Sequence, residues 1–312
     1  MLGYIVDIIC HIFKLFTFKI CKDTTHYYEE EYGYLLLLTD LLSLQTTKNN
    51  RNGYTLSMFG NTYRYDISDG KLPLLTTKHV SFKNVLLELL WFLHGKTNAK
   101  LLNEQGVKIW NGNSTREFLD SQGLHDYEEG ECGPIYGHQW RKFNDEKDQI
   151  PYLVNEIKKG SRRAVLSGWN PCQLDKMCLP PCHILYIFYV DGDSNENISC
   201  HMTMRSNDTF LGLPYNIAST ALLTYIVGKL THKKPKEIVI NVCDAHLYVK
   251  HIEAAKEQIL NPVKEFPTVE LLKDYNGDGD EDVVKWIEEL KYTDFVLHNY
   301  NSAPRISAPM IA

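Results

Sequence analysis

The chain has 312 residues, a formal net charge of −6 at pH 7, 44% hydrophobic residues and 23% charged residues. This composition is typical of a soluble globular protein, and the length is enough for one large domain or two smaller ones. The negative charge argues against non-specific nucleic-acid binding, so we expect no DNA partner, although locally placed arginines can still bind a small anion.

The first 25 residues differ from the rest of the chain and predict an amphipathic N-terminal extension. Isoleucines between positions 5 and 12 recur at helical spacing. Asp7, Lys14 and Lys19 interrupt the apolar run before it reaches the ~18 residues that a membrane-spanning helix needs. We interpret residues 1–25 as an extension of unassigned role that packs on the domain surface, with membrane or partner contact as the alternative. No linker divides residues 26–312, which we expect to form a single domain.

Hydrophobic periodicity and turn residues predict the remaining elements. Helices are expected over residues 29–44, 82–95, 98–105, 115–120, 150–159, 215–230 and 248–259, and strands over 164–169, 184–190, 198–205 and 238–242. Residues 54–67 alternate like two strands joined by the turn Gly60-Asn61. Residues 130–140 are predicted to be a Gly-containing loop that carries Tyr136.

An acidic insert, residues 274–282, imitates the start of a calcium-binding loop. The position that needs a bidentate Glu holds Lys285, so the site would lack its closing ligand. We therefore interpret the insert as a solvated surface loop. Cys178, Cys182 and His183 have the spacing of metal ligands, but no second cluster supports them, and we predict no metal.

Eight cysteines are spread along the chain without a Cys-x-x-Cys pair. Their spacing lacks the density of a disulfide framework, which is typical of small secreted domains. The sequence therefore favours reduced thiols and a cytoplasmic location.

Cys182 is the most informative of them because of its segment, Leu179-Pro180-Pro181-Cys182-His183. Two consecutive prolines fix φ at about −65° and restrict the residue before them, so a stiff, extended segment carries the thiol. Only a thiolate is a nucleophile, and its formation needs positive charge nearby. Arg205 follows after a short strand and turn, and Arg162-Arg163 precede the segment. A buried, inert thiol is the alternative.

Eight motifs, taken together, resemble the thymidylate synthase family in order and spacing. They are Glu88–Trp91, Val107–Trp110, Gly133–Gly137, Trp169–Pro171, Leu179–His183, Arg205–Asp208 with Leu211-Gly212, Pro214–Ala218 and Asp244–Tyr248. The resemblance runs from about Glu29 to Ala312. It implies an α+β fold in which helices flank a large mixed β-sheet, and one sheet face forms the interface of a homodimer.

The activity implied by this resemblance is reductive methylation of dUMP to dTMP. The co-substrate 5,10-methylenetetrahydrofolate would give both the one-carbon unit and a hydride, leave as dihydrofolate, and require no metal. Cys182 would attack C6 of the uracil ring and turn C5 into a nucleophile. The catalytic residues implied are Cys182, Glu88, Tyr136, His183, Asn216, Asp208, Arg205 and Trp110.

The dUMP site implied by the resemblance is divided between phosphate, base and sugar. Guanidinium groups would hold the phosphate, and the Arg162-Arg163 pair would reach it from the other subunit. Asn216 would read the pyrimidine edge, because a side-chain amide offers a donor and an acceptor that match uracil. The implied dUMP-binding residues are Arg51, Arg162, Arg163, Arg205, Ser206, Asp208, Asn216, His246 and Tyr248.

In the folate site implied by the resemblance, apolar side chains line most of the cavity and the C-terminus closes over it. Asp208 would bind the pterin, and Met310-Ile311-Ala312 would close over it and exclude water. The implied folate-binding residues are Ile109, Trp110, Asn113, Asp208, Leu211, Gly212, Tyr215, Ile311 and Ala312.

The chain departs from the family pattern at several positions, one of which is Cys243, where Gly is usual before Asp244. Met204 and Ile187 stand where Gln is usual, and an apolar pair has replaced a polar pair if the two side chains meet. The turn that carries Arg51 is one residue shorter than usual, which leaves its phosphate contact open.

Other functions stay open from the sequence alone. A hydroxymethylase on the same fold would hydroxymethylate dUMP or dCMP, and a degenerate, catalytically weak homologue would act as a binding protein. A Cys-His hydrolase that uses His246 beside Asp244 would work without folate.

Overall fold

The structure is a computed structural model that describes residues 31–191 and 196–311. The predictions for the N-terminal extension and for Ala312 lie outside the described residues. Within the described ranges, one hydrophobic core extends from Tyr32 to Ile306 and joins the sheet to the helices that cover it.

A seven-stranded mixed sheet forms the centre of the described structure. Its strands are β1 (Lys48–Asn50), β2 (Gly53–Asp66), β3 (Val165–Ser167), β4 (His183–Asp191), β5 (Asn197–Met204), β6 (Asn207–Asp208) and β7 (Lys234–Tyr248), in the order β1-β2-β7-β5-β4-β3 with β6 beside β7. β7 runs antiparallel to β2 and parallel to β5 and β6, so the carboxyl ends of three strands lie together. A separate antiparallel pair contains β8 (Thr268–Leu271) and β9 (Phe295–His298).

Helices pack on the sheet and on one another, which confirms the predicted α+β class. They are α1 (Tyr32–Leu42), α2 (Phe82–Leu93), α3 (Lys100–Asn103), α4 (Arg116–Ser121), α5 (Tyr136–Lys142), α6 (Gln149–Lys158), α7 (Leu213–Thr231), α8 (Ile252–Ile259) and α9 (Asp280–Glu289). The last of these begins inside the acidic insert, so the predicted surface loop ends at Gly279, and the Asp282 carboxylate in the first turn accepts the N–H groups of Asp278 and Gly279.

Helix α7 is buried along most of its length and carries Asn216 in its first turn. Pro214 stands at the start of the helix, where a missing N–H costs nothing. The hydroxyls of Thr220, Thr224 and Thr231 each donate to the carbonyl four residues earlier. These bonds satisfy polar side chains inside the core and let the largely buried helix lie against β5 and β7.

The predicted strand pair over residues 54–67 is wrong, because β2 is one continuous strand. Its pairing with β7 keeps one register on both sides of Gly60: Phe59 lies opposite Asp244 and Asn61 opposite Val242. Gly60 adopts a φ of 80° without reversing the chain. The long partner strand, which the local sequence does not reveal, decides this outcome.

Two further predictions need correction. Tyr136 does not lie in a loop but begins α5, where the buried rings of Tyr136 and Trp140 outweigh the low helix propensity of Gly137. The helix predicted from Tyr248 begins at Ile252 instead, since Tyr248 is the last residue of β7 and pairs with Thr55.

Exposed apolar side chains lie on the sheet strands. Phe59 on β2 is 88% exposed, and Tyr189 and Ile187 on one face of β4 are 63% and 38% exposed. Met204 is fully buried and lies opposite His183, whereas Ile187 lies opposite His201. Met204 and Ile187 therefore face different sides of the sheet and do not form the apolar pair considered above.

Gly133 lets the segment before α5 lie directly against the segment that leads to Cys182. Its φ is +72°, and an added Cβ would lie 2.0 Å from the carbonyl oxygen of Lys176. In the same place the N–H of Cys178 donates to the carbonyl of Cys132 at 3.0 Å. Only glycine allows both this conformation and this approach.

We expect Gly133→Ala to lower the free energy of unfolding by ~3 kcal/mol or more, because backbone strain and a main-chain clash add. Gly123→Ala is the matched control, since its φ is +77° and an added Cβ meets nothing within 4 Å; it should cost about 1 kcal/mol. Urea denaturation measures both values. Equal losses would show that the close approach is not the cause.

Candidate active site

Cys182 lies immediately before β4, between a helix start and the end of a neighbouring strand. Its N–H donates to the hydroxyl of Tyr136, the first residue of α5, at 2.6 Å. Its carbonyl accepts the N–H of Arg205, just after β5, at 2.9 Å. The stiff segment predicted from the two prolines is therefore fixed from both sides.

The Arg205 side chain fixes the same segment and approaches the thiol. Its Nε donates to the carbonyl of Pro181 and its Nη2 to that of Pro180, both at 2.8 Å. The same Nη2 lies 3.9 Å from Sγ of Cys182. Burial raises the pKa of the thiol, and the nearby guanidinium opposes that rise. Arg205 thus supplies positive charge beside Cys182, the candidate nucleophile.

His183 does not act on the thiol in this arrangement. Its ring stacks on Tyr136 with centroids 4.1 Å apart, and its Nδ1 lies 2.7 Å from the hydroxyl of Tyr186. Burial lowers its pKa to about 3, so the ring is neutral at physiological pH. The other histidine considered for a hydrolase, His246, lies with its Nδ1 3.3 Å from Oγ of Ser206. Neither contact is that of a general base on Cys182, which argues against the hydrolase.

Glu88 on α2 is the carboxylic acid of the site. Trp110 Nε1 donates to its Oε1 at 2.7 Å. Burial raises its pKa to about 7, while the bond from Trp110 acts in the opposite direction. A carboxyl group with this pKa can hold or release a proton near neutrality. The ring of Trp110 also lies 6.1 Å from that of Tyr136 in an edge-on contact, so Glu88, Trp110 and Tyr136 form one packed group.

Asn216 is oriented by Asn207, a residue to which the sequence assigned no role. Nδ2 of Asn207 donates to Oδ1 of Asn216 at 2.9 Å. One lone pair of that oxygen and both amide N–H donors of Asn216 stay available for a ligand. Asn207 stands in the Arg205–Asp208 motif, so its place in that motif was the signal that could have found it.

A cavity of about 450 Å³ opens beside the Cys182 segment at the carboxyl ends of the strands. Its lining combines two guanidinium groups with hydroxyl, amide and imidazole groups: Asn50, Arg51, Asn52, Trp169, Leu179, Pro180, Arg205, Ser206, Asp244, His246 and Tyr248. The shorter turn therefore still brings Arg51 to the cavity. His246 and Tyr248, two residues apart at the end of β7, have ring centroids 5.2 Å apart.

Asp208 and the predicted folate residues lie around the start of α7. The Oδ1 atom of Asp208 accepts the N–H groups of Phe210 and Leu211 at 2.9 and 3.0 Å. The carbonyl of Asp208 accepts the N–H of Gly212, which is the N-cap of the helix. Partly exposed side chains in the predicted folate set are Ile109, Asn113, Asp208, Leu211, Tyr215 and Ile311.

Arg162 and Arg163 are not brought into the cavity of the described chain. Both side chains are exposed, and neither belongs to the cavity lining. Arg163 is held by its backbone N–H, which donates to Oγ of Ser161 at 3.1 Å. They stay a prediction that a second subunit would have to fulfil.

The described residues contain neither a metal-binding cluster nor a membrane-spanning helix. In residues 31–191 and 196–311, no group of three or more His, Cys, Asp or Glu side chains is placed to hold a metal ion. Over the same part of the chain, no helix is long and apolar enough to cross a membrane.

Comparison with known proteins agrees with this geometry. A sequence model of the family described as thymidylate synthase matches residues 32–312. The chain belongs to the thymidylate synthase family. It is 41% identical over 304 residues to thymidylate synthase of Saccharomyces cerevisiae, covering 90% of this chain and 97% of that protein. The human thymidylate synthase is 42% identical over 295 residues, with 90% of each chain covered.

Longer relatives carry a second activity in their names. The bifunctional dihydrofolate reductase-thymidylate synthase of Leishmania major is 41% identical over 308 residues, which are 94% of this chain and 57% of that protein. The chain thus spans about half the length of the bifunctional relatives that it matches.

The raised pKa of Glu88 predicts a pH-dependent stability. The carboxyl titrates at its ordinary value of 4.5 in the unfolded chain and at about 7 in the folded protein. Between these values the unfolded chain has lost the proton and the folded protein has not, so stability falls as pH rises. Glu88→Gln cannot ionise and should gain up to ~3 kcal/mol relative to the parent between pH 4 and 8. Urea denaturation across this range measures the gain, and a difference independent of pH would contradict the account.

Proposed function

We propose that the protein is a thymidylate synthase, which converts dUMP and 5,10-methylenetetrahydrofolate to dTMP and dihydrofolate. The observation that carries the proposal is the position of the Cys182 thiol. It lies 3.9 Å from a guanidinium nitrogen of Arg205, and Arg205 also lines the cavity with Arg51 and Ser206. The Arg205 side chain therefore connects the proposed nucleophile to the hydrogen-bond donors that would bind the phosphate of dUMP.

In the proposed reaction Sγ of Cys182 forms a bond to C6 of the uracil ring. The electrons of the C5–C6 bond move toward O4, where an amide N–H of Asn216 and a water ordered by Glu88 would stabilise the enolate. C5 then attacks the methylene carbon of the folate, and one of the two carbon–nitrogen bonds that bridge this carbon breaks, with the proton going to the released nitrogen. Burial raises the pKa of Tyr136 well above its ordinary value, so its hydroxyl stays protonated and would pass the C5 proton through water. Loss of the C5 proton would expel the nitrogen of tetrahydrofolate from the new methylene group. The exocyclic methylene would then take a hydride from that tetrahydrofolate while the Cys182 thiolate leaves C6, which gives dTMP and dihydrofolate.

Base recognition would come from Asn216. With Asn207 bound to Oδ1, the amide still offers N–H to uracil O4 and a lone pair to N3–H. Cytosine reverses this pattern and would leave buried groups unpaired at about 1–3 kcal/mol each. His246 and Tyr248 would contact the deoxyribose 3′-hydroxyl, while Arg51, Arg205 and Ser206 would hold the phosphate.

The folate would lie between Ile109 and Trp110 on one side and the start of α7 on the other. Asp208 would accept hydrogen bonds from the pterin, with Leu211, Gly212 and Tyr215 beside it. The C-terminal residues would exclude water from the exocyclic methylene intermediate, because water at this point would give hydroxymethyl product.

The proposal is tested by following dihydrofolate formation spectrophotometrically with dUMP and methylenetetrahydrofolate. Dihydrofolate and dTMP should form in equal amounts. Cys182→Ser should abolish turnover while largely sparing dUMP binding, since it removes the nucleophile and leaves the phosphate donors. Hydroxymethyl-dUMP as the main product would replace the proposal by a hydroxymethylase. Binding of dUMP without turnover would favour a binding protein.

We also propose that the active form is a homodimer in which Arg162 and Arg163 complete the partner's phosphate site. The exposed apolar side chains of Phe59, Ile187 and Tyr189 support a subunit contact on the sheet. The exposure of both arginines in the described chain supports a role outside their own subunit's cavity.

Mixing two inactive variants tests this arrangement. Arg162→Ala/Arg163→Ala lacks the donated arginines, and Cys182→Ser lacks the nucleophile. After subunit exchange of equal amounts, half of the dimers are mixed and each holds one intact site, so activity should return to about a quarter of the parent value. Without exchange, activity should stay absent. No recovery after proven exchange would show that the arginines serve their own subunit.

A further inference from the structure

The C-terminal segment, residues 305–311, extends from a firmly attached part of the chain. Just before it, the hydroxyl of Tyr300 donates to the carbonyl of Leu75 and the N–H of Ala303 to that of Thr76. Beyond residue 304 the segment makes one hydrogen bond to the rest of the described chain. It joins Nε2 of His251 to the carbonyl of Pro309 at 2.8 Å.

His251 lies in the core between that segment and Asp208. Its side chain is fully buried, directly before α8, with the rings of Phe210 and Tyr248 at 5.6 and 5.5 Å. Its Nδ1 lies 3.6 Å from Oδ1 of Asp208 and has no hydrogen-bond partner within the described residues. The family motifs end at Tyr248, so the sequence analysis assigned this histidine no role.

The ring faces an acceptor at each nitrogen. A neutral imidazole carries one N–H and satisfies one of them, whereas the imidazolium donates to both. Burial lowers the pKa of His251 and the Lys78 ammonium acts in the same direction, but Asp208 and the Pro309 carbonyl outweigh them and raise it. The site therefore favours a ring that donates to the carbonyl and points its second N–H at the carboxylate.

One side chain thus contacts both the segment that would close the folate site and the carboxylate that would bind the pterin. Asp208 is already held through Oδ1 by the N–H groups of Phe210 and Leu211. Nδ1 of His251, 3.6 Å away, makes no hydrogen bond to that oxygen, but a protonated ring would place its positive charge against the carboxyl group. The hydrogen bond to Pro309 holds the other side of the same ring.

We propose that His251 is a positioning residue that couples docking of the C-terminal segment to the orientation of Asp208, and hence to folate binding. The part of this proposal that concerns folate binding rests on the proposed function. Loss of the contact with Pro309 frees the segment and loosens Asp208 together, while the dUMP site at Arg51, Arg205 and His246 is left intact.

Two substitutions separate the two nitrogens. The amide nitrogen of Gln reaches roughly the place of Nε2 and can still donate to Pro309, whereas that of Asn reaches only the place of Nδ1. Hydrogen–deuterium exchange of the peptide covering residues 305–312 should speed up by about three- to tenfold in His251→Asn and much less in His251→Gln. His298→Asn, an exposed histidine on β9, is the control and should leave exchange unchanged. Circular dichroism and dUMP binding verify that each variant is folded.

Folate binding is measured as the Kd of dihydrofolate in the presence of dUMP, which needs no turnover. The Kd should rise about three- to tenfold in His251→Asn, with the Kd of dUMP changed less than about twofold. In a chain ending at Ala308, which lacks the Pro309 carbonyl, His251→Asn should add no further loss. This double variant distinguishes coupling through the segment from a purely structural role.

Three results would overturn the inference: unchanged exchange in His251→Asn, equal weakening of dUMP and dihydrofolate, or a full additional loss in the shortened chain. If the parent protein itself binds no dihydrofolate, the proposed function fails in its folate half and this inference fails with it. If the parent binds it and His251→Asn binds equally well, only the coupling fails.

Discussion

Arg205 donates from its side chain to the carbonyls of Pro180 and Pro181, and from its backbone to the carbonyl of Cys182. Hydrogen bonds from a charged donor contribute about 1.5–3 kcal/mol each, so these bonds add to the stiffness of the two prolines and fix the segment that carries Cys182. The guanidinium then lies beside the thiol and at the wall of the cavity. A lysine could not replace it, because an ammonium lacks the planar fork that reaches two carbonyls in one orientation.

Burial and charge act against each other at the thiol. Burial raises the pKa of Cys182, and the Arg205 guanidinium limits the rise. A thiol in this state reacts slowly with molecules from solvent, since the thiolate is the reactive form. Its chemistry is thereby restricted to a ligand that fits the cavity and brings an electrophilic carbon to it. Glu88 with a pKa of about 7 and a neutral His183 extend the same principle, because burial sets the protonation of each group before any substrate arrives.

The length of β7 explains how distant motifs meet. Its parallel pairing with β5 and β6 brings residues 204–208 alongside residues 242–246, and its antiparallel pairing with β2 adds the turn that holds Arg51. The loop before α5 and the Cys182 segment close the arrangement from the other side, with Gly133 at their contact.

Short motifs mark Cys182, Arg205 and Asn216 as candidate site residues from the sequence alone, and the structure places Arg205 beside the Cys182 thiol. It also predicted α2 and α7, whose apolar residues are dense enough to specify a buried helix. It failed at β2, where a glycine resembled a turn and a distant partner strand decided otherwise. The opposite orientations of Met204 and Ile187 depend on strand register in the same way. The hydrogen bonds of Asn207 to Asn216 and of His251 to Pro309 join residues that are 9 and 58 positions apart. No local sequence pattern marks such contacts.

The central claim is that Cys182 is a nucleophile aimed at a pyrimidine whose phosphate Arg205 helps to hold. Intact-protein mass spectrometry after incubation with 5-fluoro-dUMP and methylenetetrahydrofolate tests it most directly, followed by peptide mapping of the modified residue. We expect a covalent adduct that contains both ligands on Cys182 and that does not form when Arg205 is replaced by Ala. No adduct in a folded protein that binds both ligands, or an adduct on another residue, would contradict the claim.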